Sequence, residues 1–112
     1  MCMGVEHRGA VTVIRAPQDI KLGEGDVALR QTVNEQLTQG RRQLLLDLSA
    51  VRFMDSSGIG AVVAVLKRVS EAGGRLKICR VNPRVSDVLS VTRLERVLEI
   101  YEDEKEALAA FH

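Results

Sequence analysis

The feature that most constrains the fold is a nearly continuous apolar run at residues 44–48, with the sequence Leu-Leu-Leu-Asp-Leu. A strand with one face in water alternates apolar and polar side chains, whereas this run is apolar on both faces. Such a strand must be covered on both sides, which is typical of a parallel sheet between layers of helices. The run therefore predicts a central strand of an α/β domain.

Strand and helix patterns alternate along the rest of the chain. Asp26 is the predicted N-cap of the first helix, and Asn82 followed by Pro83 is a typical start of the third. We predict one domain over residues 1–112, with a mixed, largely parallel β-sheet flanked by α-helices. The predicted strands are residues 5–7, 11–14, 43–48, 76–81 and 97–101, and the predicted helices begin near residues 26, 56, 82 and 103.

The composition disfavours several classes of function. The formal net charge is only +1, and the chain has one Tyr, two Phe and no Trp. Nucleic-acid binding needs an excess of positive charge and aromatic rings on which bases stack, so we expect no nucleic-acid partner. The apolar runs are too short to cross a membrane and no signal peptide is evident, which predicts a cytoplasmic protein without a membrane partner.

The cysteines and histidines are few and scattered. Cys79 lies in an apolar run and is predicted to be a buried thiol, whereas Cys2, His7 and His112 lie close to the chain ends. A zinc site or a Ser-His-Asp triad would need a terminus to reach the active centre. We therefore predict no metal, no cofactor and no catalytic residues.

The chemically distinctive segment is Asp55-Ser56-Ser57-Gly58, where a buried strand passes into a helix. One interpretation is structural, because Asp and Ser are common helix caps and Gly relaxes a turn. The other is functional, because a phosphate on Ser56 would lie at a helix N-terminus and would add negative charge beside Asp55. The two interpretations are compatible, and the sequence leaves both open.

The helix after this segment has a predicted buried stripe and a predicted exposed arc. Small apolar residues on an exposed arc beside Ser56 would form a docking patch for a partner protein. The alternative is that they reflect helix propensity or a covered face. The predicted stripe is Ile59, Val62, Val63, Leu66 and Val69, and the predicted docking arc is Gly60, Ala61, Ala64 and Val65.

Two rival functions fit the residues poorly. A receiver domain could use Asp47, but the acidic pair and the lysine that hold Mg²⁺ in such domains are missing from the expected strand ends. A serine hydrolase would need an activating base, and neither the Gly-x-Ser-x-Gly pattern nor a suitably placed His is present. We therefore predict that the protein is not an enzyme.

Residues 44–60, with the sequence LLLDLSAVRFMDSSGIG, closely resemble the signature of STAS domains, specifically the stand-alone bacterial anti-sigma factor antagonists. The resemblance covers nearly the whole chain. It departs at Ala16-Pro17-Gln18-Asp19, where many members place a glycine. Further similar features are Leu22-Gly23-Glu24-Gly25, Gly73-Gly74, Asn82-Pro83 and Glu106-Ala107-Leu108.

The resemblance implies a STAS fold and a partner switch. An unmodified antagonist of this family binds an anti-sigma factor that is also a serine kinase, is released when that kinase phosphorylates it, and is reset by a serine phosphatase. ATP would belong to the kinase, since this chain has no P-loop pattern. A STAS scaffold or a ligand-sensing module without sigma-factor control is the alternative, and dimer formation is left open.

The resemblance also assigns roles to residues of this sequence. Ser56 is the implied phosphoacceptor. The loop around it would be shaped by Asp55, Ser57 and Gly58, with Asp47 nearby at the end of the preceding strand. Partner contacts are assigned to Asp19 together with the four residues of the predicted docking arc.

Overall fold

A computed structural model describes residues 3–91 and 98–111. Cys2, His112 and the first residue of the predicted strand 97–101 lie outside the described residues, so the predictions about them are not tested. Strands and helices alternate after an opening hairpin, as the sequence predicts. The elements are β1 (Gly4–Arg8), β2 (Val11–Arg15), α1 (Asp26–Thr38), β3 (Gln43–Asp47), α2 (Ser56–Glu71), β4 (Arg75–Cys79), α3 (Pro83–Val91), β5 (Glu99–Tyr101) and α4 (Glu104–Ala109).

The five strands form one sheet in the order β1-β2-β3-β4-β5. The β1–β2 hairpin is antiparallel, and β2, β3, β4 and β5 pair in parallel. The prediction of a mixed, largely parallel sheet is thereby confirmed. β3 is the central strand, and its residues 44–47 are buried on both faces, as the nearly continuous apolar run predicts.

The two faces of the sheet are covered unequally. Along β3, Leu44 and Leu46 pack with helices α1, α2 and α3, and we call this side the helix face. Leu45 points to the other side, which we call the second face, where α4 and Phe111 form a smaller cluster. Side chains alternate between the faces because successive residues of a strand point in opposite directions. The second-face cluster consists of Val11, Val13, Leu45, Cys79, Ala107 and Phe111.

The helix starts match the sequence prediction except for the N-cap of α1. The predicted N-cap Asp26 is wrong, because Gly25 occupies that position with a φ of 89° and Asp26 is already helical. Glycine adopts this left-handed conformation without steric cost, which lets the chain enter the helix from a tight loop. The prediction for α3 is confirmed, since the Asn82 side chain accepts a hydrogen bond from the Arg84 N–H at 3.0 Å.

The helices of the described residues are all short and amphipathic or partly polar. Within residues 3–91 and 98–111, none is long and apolar enough to cross a membrane. The longest, α2, has 16 residues and packs between neighbours on the helix face. Its N-terminus lies directly after the loop that leaves β3, and this placement positions the candidate site.

Candidate functional site at the start of helix α2

Asp55 joins the start of α2 to the loop after β2. Its Oδ1 accepts a hydrogen bond from the Gly58 N–H at 2.8 Å, and its Oδ2 accepts one from the Leu22 N–H at 3.0 Å. These backbone donors, with that of Leu22 first, hold the pKa of Asp55 below its ordinary value. Asp55 is therefore the N-cap of α2, one of the caps that the structural interpretation allows, and it also links the two loops.

Asp19 fixes the segment that leads to this cap. Its Oδ1 accepts hydrogen bonds from the N–H groups of Arg52, at 2.8 Å, and Phe53, at 3.0 Å. The Ile20 N–H donates to the Phe53 carbonyl oxygen at 3.3 Å, which extends the contact between the two loops. The structure thus assigns the Asp19 side chain a loop-holding role, while its predicted contact with a partner stays a prediction.

Gly58 lies where the two loops approach most closely. A Cβ atom at this position would lie 2.2 Å from the Ile20 carbonyl oxygen and 2.6 Å from the Met54 Cγ atom. Both distances are far below van der Waals contact, and one of the neighbours is backbone that cannot turn aside. Gly58 is therefore required by packing, and it orients the first turn of α2 against the loop after β2.

Ser56 and Ser57 occupy the first two helical positions of α2 and differ in exposure. Ser56 is exposed, whereas Ser57 is half-buried. The loop before them is held by the bonds to Asp19 and Asp55, so the Ser56 hydroxyl is presented to solvent from a fixed backbone. A phosphate on Ser56 would fit there without displacing a buried side chain.

Asp47 does not join this loop through its side chain. It is only 2% exposed, and its carboxylate pairs with the Arg15 guanidinium, lies 3.6 Å from that of Arg80 and accepts the Ser49 N–H at 2.9 Å. The placement of Asp47 at the end of β3 is as predicted, but these contacts are on the second face. The strand alternation explains the difference, because the side chain of Asp47 points to the same side as that of Leu45.

The second face carries a network of charges around Arg15. Glu6 and Glu104 pair with the Arg15 guanidinium at 2.8 Å and 2.6 Å, and these pairs together with Asp47 raise the pKa of Arg15. Burial, with the charge of Asp47 next, raises the pKa of the neighbouring Cys79 thiol to about 12. Cys79 is therefore an inert, buried thiol, which confirms the sequence prediction.

Helix α2 is rotated about its axis relative to the prediction. Ala61 and Val65, predicted to lie on an exposed docking arc, are buried in the core with exposures of 0% and 3%. Val63, predicted to be buried, is 38% exposed. Gly60 is exposed and Ala64 is half-buried, so the predicted arc is wrong at two of its four positions. Apolar residues lie around much of the circumference of α2, so periodicity alone does not fix which of them are buried.

Exposed apolar side chains nevertheless surround the loop at other positions. Leu22 is 74% exposed and Phe53 is 53% exposed, and both are held through their backbones to the same pair of loops. Val63 lies seven residues after Ser56, two turns along the same side of α2. We call Leu22, Phe53 and Val63 the apolar patch. Sequence analysis missed this patch because two of its members lie in loops. An apolar residue among turn residues is the signal that could have indicated an exposed apolar side chain there.

The described residues give Ser56 no general base. His7 is hydrogen-bonded on β1 to Gln36 of α1, with 3.3 Å between Nε2 and Oε1, and the Asp55 carboxylate is occupied by backbone N–H groups. Within residues 3–91 and 98–111, no group of three or more His, Cys, Asp or Glu side chains is arranged to hold a metal ion. The Ser56 hydroxyl is exposed, and the described residues place no activating base beside it.

Comparison with known proteins gives consistent matches over nearly the whole chain. The family model described as STAS domain matches residues 3–107. The anti-sigma F factor antagonist of Paenibacillus polymyxa is 32% identical over 107 residues, which are 93% of this chain and 89% of the relative. A solved STAS-domain anti-sigma-factor antagonist from Planctomyces limnophilus has a TM-score of 0.86 at 32% identity. The match covers 98% of this chain and 97% of the solved chain. The phosphorylated form of the Bacillus protein SpoIIAA, at 20% identity, shares the fold with a TM-score of 0.75. This match covers 99% of this chain and 100% of the SpoIIAA chain.

Proposed function

Since this chain belongs to the STAS domain family, we propose that it is an anti-sigma factor antagonist whose binding to its partner is switched by phosphorylation of Ser56. The partner is an anti-sigma factor with serine kinase activity, and a serine phosphatase restores the unmodified form. The protein acts in the cytoplasm and has no catalytic role of its own.

The observation that carries this proposal is the exposed hydroxyl of Ser56 on a backbone fixed by neighbouring loops. Asp55 and Asp19 together accept four backbone N–H groups from the segments around it. A kinase needs a hydroxyl that it can reach, and a switch needs a surface whose shape is maintained when the charge changes. Both conditions hold at Ser56, whereas Ser57 in the next position is half-buried.

The chemistry of the switch is a phosphoryl transfer within the complex with the kinase. The Ser56 Oγ attacks the γ-phosphorus of ATP held by the kinase, its proton passes to a base of the kinase, and ADP leaves. The phosphate adds about −1.5 to −2 charges, which takes the formal net charge of the chain from +1 to about −1. The added charge lies beside Asp55, whose lowered pKa keeps it ionised, so the local surface becomes strongly negative.

A phosphate on Ser56 would change how the apolar patch binds a partner. The Leu22 N–H is hydrogen-bonded to Asp55, the residue before Ser56, and Val63 lies two turns after Ser56 along the same side of α2. Burial of these side chains against the partner would drive association, and a hydrated phosphate among them would have to lose its water on docking. Phosphorylation is therefore expected to release the partner.

The phosphorylation step is tested by incubating the chain with candidate anti-sigma kinases and ATP and mapping the phosphate by mass spectrometry. Ser56→Ala should abolish phosphorylation and retain partner binding. Ser57→Ala is the matched control, since it removes the neighbouring hydroxyl and should leave phosphorylation intact. Phosphate on another residue, or on the Ser56→Ala variant, would contradict the assignment of Ser56.

The docking surface is tested separately by titration of the partner. Val63→Arg should weaken binding by about tenfold or more, because a charge would replace an exposed apolar contact at the interface. Ser70→Arg places the same charge on an exposed position two turns further along α2 and should leave binding unchanged. Equal affinities for both variants would remove Val63 from the docking surface, while the phosphorylation site could still stand.

A further inference from the structure

An apolar cavity of about 280 Å³ lies between the segment 52–54 and helix α3. Met54 and Val85 form its floor and are 3% and 1% exposed, and the half-buried Val88 extends it along the helix. The ring of Phe53 stands at one side while its backbone is fixed by Asp19. The cavity is therefore built from packed residues, and its size is just below the usual range for drug-sized ligands, about 300 Å³ and above.

Two arginine side chains border this cavity. Arg52 lies three residues before the N-cap Asp55, and Arg84 lies in the first turn of α3. Neither arginine forms a salt bridge within the part of the chain that the structure describes. The N-terminal end of α3 adds positive potential on the Arg84 side. Asp87 also lines the cavity, one turn further along α3 than Arg84, so an anionic group is favoured beside the arginines and away from this carboxylate.

The other cavities of the described residues differ from this one in lining. A groove of about 220 Å³ between α1 and α2 is lined by Arg30, Asn34, Ala64, Val65 and Arg68. Its apolar lining consists of one alanine and one valine. The cavity at α3 combines a buried apolar lining with two arginines that form no salt bridge within residues 3–91 and 98–111, which is the combination that an amphipathic anion requires.

We propose that the cavity between segment 52–54 and α3 binds a small amphipathic anion, such as a medium-chain or aromatic carboxylate. The carboxylate lies between Arg52 and Arg84, and the apolar tail packs on Met54 and Val85. Binding at this site does not require phosphorylation of Ser56, so the site can exist even if the proposed switch fails.

The test is a titration with sodium octanoate, below its micelle concentration, followed by ¹H–¹⁵N NMR. Saturable shifts are expected at residues 52–54 and 84–88. The double variant Arg52→Gln/Arg84→Gln should weaken binding by about tenfold or more, the usual size of lost charge-assisted hydrogen bonds. The matched control is Arg30→Gln/Arg68→Gln, because all four of these arginines are exposed. It removes the same charge from the α1–α2 groove and should leave the affinity unchanged.

A neutral ligand separates charge recognition from apolar binding. Octan-1-ol should bind at least about tenfold more weakly than octanoate, because it lacks the group that pairs with the guanidinium ions. Three outcomes would overturn the proposal: no saturable shifts at millimolar octanoate, shifts that map to the α1–α2 groove, or equal losses in the two double variants. None of these readouts depends on a kinase or a sigma factor.

Discussion

The helix face and the second face of the sheet bury side chains of the same strands beneath different amounts of cover. On the helix face, three helices cover β2, β3 and β4, and the buried side chains are almost entirely apolar. On the second face, the six residues of α4 cover much less, and the described part of that face holds Arg15, Asp47 and Lys77 close to its apolar cluster.

This difference shows how coverage decides what a strand can bury. Lys77 is 1% exposed, yet its Nζ reaches Glu99 at 2.9 Å because β5 lies at the edge of the sheet. Asp47 is buried equally deeply and is stabilised by the half-buried Arg15. Charged side chains of the strands are tolerated where the cover is thin enough for a partner to reach them, and within the described residues the strands bury none beneath the three helices.

The largest expected effect comes from placing a charge on the helix face. Val65→Glu should destabilise the fold by about 4 kcal/mol or more, because an unpaired carboxylate would be buried. Val63→Glu, two residues away on the exposed side of α2, should change stability by about 0.5 kcal/mol or less. Chemical denaturation of both variants checks this, and equal losses would mean that the rotation of α2 is incorrect.

The second face should depend on charge instead. Asp47→Ala is expected to cost about 3 kcal/mol, because it leaves the Ser49 N–H and part of the Arg15 guanidinium without their partner in a low-dielectric site. Glu6→Ala removes a more exposed carboxylate from the same guanidinium and should have a much smaller effect. The measurement is again the free energy of unfolding in denaturant. If Asp47→Ala were no worse than Glu6→Ala, the second face would not rely on its buried pair.

Close packing on the helix face extends to the loop before α2. Gly58→Ala should destabilise by about 2 kcal/mol, because its methyl group would overlap the Ile20 carbonyl oxygen. Gly60→Ala is the matched control, since the same methyl group would meet open space and should stabilise the helix by about 0.5 to 1 kcal/mol. Thermal unfolding should therefore move in opposite directions for the two variants, and a shared direction would contradict the geometry of this loop.

The smallest effect is expected at Asp55, whose carboxylate lies in the loop after the central strand β3 and accepts backbone N–H groups. Since its pKa is lowered in the folded state, its contribution to stability is complete above about pH 4 and is lost as the pH falls through the lowered value. Asp55→Asn should therefore lower the melting temperature at pH 7, and the two proteins should converge in acid. A difference that is the same at pH 7 and in acid would show that charge is not the cause.

Much of the fold follows from local patterns. The order of strands and helices, the Asp55 cap and the Asn82 cap are fixed by residues within a few positions of one another, where propensity and spacing act directly. The predicted N-cap of α1 is wrong because Gly25 and Asp26 both suit a helix start, and the loop that leads into the helix decides between them.

The sequence by itself therefore determined that this chain builds a two-sided, largely parallel sheet with a serine at a helix N-terminus. Only the tertiary structure decided which side of α2 is buried, which partner satisfies Asp47 and where the cavity beside α3 lies. The physical reason is distance along the chain. Gly58 meets Ile20, and Asp47 meets Arg15, across more than 30 residues, and periodicity within one element carries no information about such contacts.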